Sequence, residues 1–249
     1  MNLEESWIIT EFARLIMLFI IYYSLSILVK NDKLKVNYSR KAVHFAHILS
    51  PLLINRVLYN YSLDYFLKSG ITTLAFPLLF IEPIRKKISI LDTLFYCFDR
   101  PEDRPHTVSL AFTQQVAMYF VLVGMAYLYT HFGLNLDLLA VPMLITAFGD
   151  GFAEPIGVRY GKNKYEVTAL FTSRKYTRSF EGSSMVTLVT VATLFALQGH
   201  FSFNQFVFLM IYMPLKMTIV EAYAPHTWDN PFLYLVGGLL VFLVKILII

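Results

Sequence analysis

Long apolar runs alternate with short, strongly basic connections along this chain, and that alternation restricts the fold more than any motif does. A helix needs about 20 apolar residues to cross the hydrocarbon core of a bilayer. Runs of that kind fall near 8 to 29, 42 to 59, 66 to 81, 108 to 130, 135 to 157, 183 to 198, 203 to 221 and 232 to 249. The expectation is an all-α, polytopic integral membrane protein, with about eight transmembrane helices in one bundle and a single domain over residues 1–249. The third run, FLKSGITTLAFPLLFI, is short, and the second carries His44, His47 and Arg56. These two are the ones expected to be tilted, re-entrant or shielded by neighbours. At 57% hydrophobic and 15% charged residues, the composition lies outside that of an ordinary soluble domain.

The basic residues fix an orientation. The connections at 30 to 41, 82 to 107 and 158 to 182 hold five, five and six Lys or Arg, sixteen of the twenty-one in the chain, and those at 60 to 65, 131 to 134 and 199 to 202 hold none. By the positive-inside rule the basic connections face the cytoplasm, both termini lie outside, and parity puts AYAPHTWDNP at 222 to 231 on the cytoplasmic side as well. The expected location is a multi-pass protein of a prokaryotic cell membrane, with its active site on the cytoplasmic face. The net charge of +4 is divided among short clusters between apolar runs, the pattern of loops facing anionic headgroups, and it points away from nucleic acid. The opening MNLEESWIITEFARL, with Glu4, Glu5 and Glu11 and no basic stretch, reads as neither a signal nor a transit segment. Cys97 is the one cysteine, so an internal disulfide is excluded and nothing indicates an oxidised compartment or a cysteine-ligated zinc.

One polar segment interrupts this regularity. From Gly149 to Gly182 the chain places Asp150, Glu154, Arg159, Lys162, Arg178 and Glu181 at a membrane boundary, punctuated by glycines. Asp150 and Glu154 share a helical face, and a carboxylate at membrane depth requires a divalent cation or an arginine as compensation. Asp150 and Glu154 are the candidates for that cation. Ala153, Gly157 and Gly161 form a second row at i, i+4 spacing, read as a ridge where another helix approaches closely. In TRSFEGSS, Ser179 and Ser183 are suited to cap a helix start, while the density of Arg174, Lys175 and Arg178 suits a phosphate. In SRKAVHFAH, Arg40, Lys41 and His44 share a helical region, either as interfacial anchors or as groups facing the bundle interior. Glu221 closes the seventh run and Asp229-Asn230-Pro231 opens the eighth. No GxxxxGK[S/T] segment and no HRD or DFG set is present, so a nucleotide site here has another architecture.

Taken in order, SRKAVHFAH, EPIR, GDGFAEPIGVRYGK, RSFEGSS and EAYAPHTWDN resemble the CTP-dependent lipid-alcohol kinases, the dolichol, phytol and CTP-dependent diacylglycerol kinases, a group related to phosphatidate cytidylyltransferase. The resemblance spans roughly residues 38 to 249 and rests on the order of GDG, RSFEGS and the Glu221 to Asn230 segment. It implies transfer of the γ-phosphate of CTP, with Mg2+ or another divalent cation, to the hydroxyl of a long-chain membrane alcohol. It implies a nucleotide and metal site at Asp150, Gly151, Arg178, Ser179, Glu181, Gly182, Glu221, Asp229 and Asn230, and it adds Asp229 to Asp150 and Glu154 in the metal set. Arg40, Lys41, His44, Arg159 and Lys162 are further candidates for the nucleotide. In that scheme a carboxylate, Glu221 or Asp229, orients or deprotonates the alcohol, the metal sits on Asp150 and its partners, and Lys162 and Arg178 stabilise the transferred group. Two other readings are CMP transfer to a lipid phosphate and, in a different class, a transporter. A transporter would carry its charges near the bilayer midplane, whereas these collect at one interface.

Overall fold

The structure, a computed structural model, describes residues 3–58, 62–168, 175–225 and 228–248, the side chains of 3–6 and 55–58 excepted. The side chain of Arg56 and the whole of Arg174 lie outside the described residues, as do the ends at 59 and 249 expected for two of the runs. About 81% of the protein is helical, and the fold is all-α. Among the described residues five helices are long and apolar enough to cross a bilayer: Trp7–Lys30, Thr107–His131, Leu136–Tyr160, Phe203–Tyr223 and Asp229–Leu247. Phe180–Ala196 is apolar but shorter. This is a helical, multi-pass membrane protein. The chain divides into two compact units, Met1–Tyr119 and Phe120–Ile249.

The first unit contains α1 (Leu3–Lys30), α2 (Val36–Leu58), α3 (Leu63–Ala75), α4 (Glu82–Arg85), α5 (Ser89–Phe95) and the first half of α6 (Thr107–His131). Lys30 closes the last turn of α1, and Asp32 takes a left-handed φ of 55° while the amides of Lys33 and Leu34 return to the carbonyl of Leu28. That is the hydrogen-bonding logic of a helix stop, with orphan carbonyls satisfied by amides beyond the end. α2 begins at Val36, earlier than its apolar run, so Arg40 and Lys41 lie within the helix and Lys41 is buried. Ser62 caps α3 through the amide of Tyr65, and Pro77 tightens the following turn into a 3-10 segment, Phe76–Phe80. At 13 residues α3 is too short to cross alone, since each helical residue rises about 1.5 Å. The core joins Tyr22, Val43, Phe80, Leu94, Phe95 and Cys97, with Phe76 and Phe98 meeting Tyr22 and Phe80 edge to face.

Glu11 is buried inside α1 with Arg14, rather than preceding the first span. Arg14 Nη2 donates to Glu11 Oε2 at 2.7 Å and to Thr72 Oγ1 at 2.9 Å. Tyr65 and Thr72 of α3 complete the shell, donating to Glu11 Oε1 at 3.0 Å and Oε2 at 2.6 Å.

The second unit continues α6 and adds the segment from Leu136 to Tyr160, then β1 (Lys164–Thr168), β2 (Lys175–Ser179), α9 (Phe180–Ala196), α10 (Phe203–Tyr223) and α11 (Asp229–Leu247). Leu136–Tyr160 is continuous but changes pitch: a 3-10 turn at Leu136–Leu139, α7 (Ala140–Leu144), a π-helical turn at Ile145–Asp150, and α8 (Gly151–Tyr160). Of its apolar window 72% is buried. Such wide turns are rare and concentrate near functional sites, and this one ends on Asp150. Helix contacts in this unit use small residues and polar links. A side chain at Gly237 would meet Pro142 at 2.9 Å, Tyr129 donates its hydroxyl to the carbonyl of Gly238 at 2.8 Å, and the hydroxyls of Thr187 and Thr218 share a bond of 2.6 Å between α9 and α10.

Candidate functional site

The site is assembled where α8 ends, the hairpin returns and α9 begins, and the close packing there follows from residues without side-chain bulk. A Cβ on Gly182 would sit 2.6 Å from the carbonyl oxygen of Ala153 and 3.3 Å from Cα of Gly157. A Cβ on Gly157 would in turn meet Ser179 Oγ at 2.9 Å. The row Ala153, Gly157 and Gly161 therefore faces α9, the close helix contact its spacing predicts. Gly182 is required for the same contact, which gives it a packing role independent of any ligand.

Between α8 and α9 the expected plain loop contains an antiparallel hairpin, with Lys164 opposite Ser179, Tyr165 opposite Arg178 and Val167 opposite Tyr176. KYEVT and KYTRS alternate with a period of two and carry β-branched and aromatic residues, the strand signal that the surrounding charge obscures. Ser179 ends β2 and caps α9, accepting from the amide of Gly182 at 3.1 Å. Glu181 ties the hairpin to the same helix start: its carboxylate accepts from the main-chain amide of Asn163 at 3.2 Å and from its side-chain amide at 3.1 Å. Tyr165 shares a hydrogen bond of 2.6 Å with Ser183.

This scaffold holds Arg178 over the end of α10 and the start of α11. Its Nη1 donates to the main-chain carbonyl of Glu221 and, at 3.2 Å, to Glu221 Oε1, while Nη2 reaches Asp229 Oδ2 at 3.4 Å. The side chains of Arg178, Glu221 and Asp229 are 12%, 5% and 15% exposed, so the group is screened by little water. Burial works to lower the guanidinium's proton affinity, but the carboxylates of Asp229, Glu221 and Asp150 outweigh it and hold Arg178 above its ordinary range. Asp150 is buried at the end of the π turn, within the same electrostatic neighbourhood. Tyr165 belongs to it too: burial pushes its phenol up, Glu221 and Tyr223 add to the rise, and Ser183 and Arg178 oppose it.

Three separated segments thus meet: GDG through Asp150, RSFEGSS through Arg178 and Ser179, and the segment from Glu221 to Asn230. Asp229 is the first residue of α11 and its Oδ1 accepts from the amide of Asn230 at 3.1 Å; Asn230 is buried, as is Gly151. Glu154 is half-buried one turn beyond Asp150. Arg159 and Lys162 are exposed, and Arg159 lies over the ring of its neighbour Tyr160 at 5.4 Å. Arg40, Lys41 and His44 lie on α2 of the first unit, where His44 packs edge-on to Phe45. Tyr165 and Ser183 are the members that motif reading passed over as candidates.

The divalent cation is tested by the donor set. Asp150, Glu154 and Asp229 do not form a ligand cage: among the described residues no three of His, Cys, Asp and Glu are grouped so as to hold a metal ion. A guanidinium, reaching both Glu221 and Asp229, supplies the compensating charge instead. No family model matches this chain, and neither a curated protein nor a solved structure matches it.

Proposed function

We propose that this protein is a membrane-embedded kinase that transfers the γ-phosphate of CTP to the hydroxyl of a long-chain lipid alcohol. The observation that supports the reading is the convergence of Asp150, Arg178, Glu221 and Asp229 from three segments on one buried, charged locus. A planar guanidinium beside carboxylates is suited to hold a phosphoryl group while an acid orients a hydroxyl. In the transfer, the alcohol oxygen forms its bond to the γ-phosphorus as the bond from that phosphorus to the β–γ bridging oxygen breaks. CDP leaves, and the hydroxyl proton passes to Glu221 or Asp229. Arg178 bears the phosphoryl charge, and Lys162, exposed at the mouth of the hairpin, offers a second cation. A divalent cation belongs to the proposal as a companion of the nucleotide's phosphates and not as a resident of the carboxylates, which Arg178 engages. The proposal also takes α2, α3 with its following turn, and α9 as three further crossings, eight in all, with the hairpin in the cytoplasm of a prokaryotic cell.

The test is incubation of the purified protein in liposomes with CTP labelled at the γ- or the α-phosphate, and a panel of isoprenoid alcohols, phytol and diacylglycerol. Label in lipid from the γ-position supports the kinase. Label from the α-position alone indicates CMP transfer to a lipid phosphate. Equal or better use of ATP removes CTP from the proposal, and no lipid label from any donor removes the enzyme.

A further inference from the structure

Arg178 is occupied by acids at the positions a phosphate would need. A guanidinium N–H that donates to a carboxylate is not free to donate to a phosphate oxygen. In this protein Nη1 is committed to Glu221, through both its main-chain carbonyl and its carboxylate, and Nη2 is committed to Asp229. These commitments differ in strength. The contact to Asp229 spans 3.4 Å, long beside the roughly 2.7–2.9 Å usual for a charge-assisted bond. The main-chain carbonyl of Glu221, by contrast, belongs to α10 and does not move with a side-chain rotamer. Asp229 also has somewhere to go. Its other oxygen already accepts from the amide of Asn230, and as the first residue of α11 it lies at the positive end of the helix dipole.

We infer that Asp229 is an internal competitor for Nη2 of Arg178, and that a polyphosphate oxygen binds there by displacing Asp229 while Nη1 stays on Glu221. This rests on the reading that Arg178 receives phosphate, and it assigns the resting site a built-in inhibition. Asp229 mimics the ligand: a carboxylate and a phosphate present similar oxygen pairs, and only one can hold Nη2 at a time. The exchange leaves the buried guanidinium with a partner in both states. It also sets a sign that a plain binding role does not. Neutralising an acid at a nucleotide site usually matters through a lost metal or base, whereas here it should strengthen the binding of a metal-free anion.

The experiment is titration calorimetry of the full chain in nanodiscs with inorganic triphosphate in the presence of EDTA. Asp229→Asn should bind triphosphate about tenfold more tightly than the wild type, the size of an ordinary coupling between two ligands of one site. Asp229→Ser, a residue favoured at helix starts, is the second variant should the amide fail to fold, and it should show the same gain. Arg178→Gln combined with either should lose the gain. Equal or weaker binding by both Asp229 variants overturns the inference, and so does a gain that survives Arg178→Gln. Assays with γ-labelled CTP separate this from the kinase reading. Tighter triphosphate binding without transfer to any alcohol leaves the competition standing and the kinase refuted; transfer by the wild type with no gain in the variants does the reverse.

Discussion

Arg14→Met should destabilise the first unit sharply, because it strands Glu11. That carboxylate is 3% exposed, and its environment is a closed shell of Arg14, Tyr65 and Thr72. Methionine fills much of the arginine's volume, so little of the loss comes from a cavity; what disappears is the countercharge and the donors at 2.7 and 3.2 Å. Breaking a buried pair from one side costs about 3–5 kcal/mol. At roughly 2–4 °C per kcal/mol for a chain of this size, the unfolding midpoint should fall on the order of 10 °C. Cys97 supplies the assay. It is fully buried in the core of the same unit, and burial pushes its thiol up to about 12 against the hydrogen bond with Ser26, so a fluorogenic maleimide stays dark until the unit opens. The partner experiment adds Glu11→Leu and Tyr65→Phe to Arg14→Met, removing the stranded carboxylate and its phenol donor together, and should recover most of the loss. A midpoint for Arg14→Met within about 2 °C of the wild type would refute the reasoning.

Gly182→Ala should cost about 1–3 kcal/mol in thermal melts followed by circular dichroism, because its Cβ meets the Ala153 carbonyl oxygen at 2.6 Å. Gly124→Ala, with nothing within 4 Å of the added carbon, should cost nothing by the same measurement. Asp150→Asn should lower transfer from γ-labelled CTP by about 100-fold or more while the helical spectrum is retained; near-normal turnover removes Asp150 from the site. Tyr165 is held protonated above its usual range, so its contribution is complete below about pH 10 and declines as pH rises through the folded-state value. The stability difference between wild type and Tyr165→Phe in denaturant should therefore shrink at strongly alkaline pH, and a difference that grows there contradicts the assignment. Lys164 is exposed on β1, and with Cys97 buried a cysteine placed at 164 gives clean labelling. An impermeant maleimide should reach it only after cells are opened, and labelling of intact cells reverses the proposed orientation.

Local chemistry was the legible portion of this chain. The spacing of Ala153, Gly157 and Gly161 marks a helix contact because small residues at i, i+4 have few other uses, and α9 occupies that row. Ser179 reads as a cap from its place before an apolar run, and it is one. Asp229 and Asn230 read as a helix start and open α11. What depends on long-range pairing was opaque. That Arg178 reaches Glu221 and Asp229 together is a property of two helix ends brought to one strand, for which spacing along the chain carries no signal. The π turn at Ile145–Asp150 adds a residue to a helix without changing its composition. The hairpin was hidden because its five-residue strands sit among charges that suggest solvent. Glu11 and Arg14 stand one turn apart in plain view, yet near the start of an apolar run acids look like flanking residues rather than a buried pair.

Two helices of equal length, Thr107–His131 and Leu136–Tyr160, answer to different solvents. In the first only 6% of the apolar window is buried, in the second 72%. Most side chains of Thr107–His131 are only partly covered by protein, and where lipid covers the remainder, tails accept apolar side chains of many shapes. Leu136–Tyr160 is surrounded by protein, whose close packing discriminates a single methylene. A saturation library should therefore read out as two alphabets: a more permissive one for Thr107–His131, and a narrow one for the helix that carries Asp150. Transplanting the protein into thinner or thicker membranes should disturb the first long before the second.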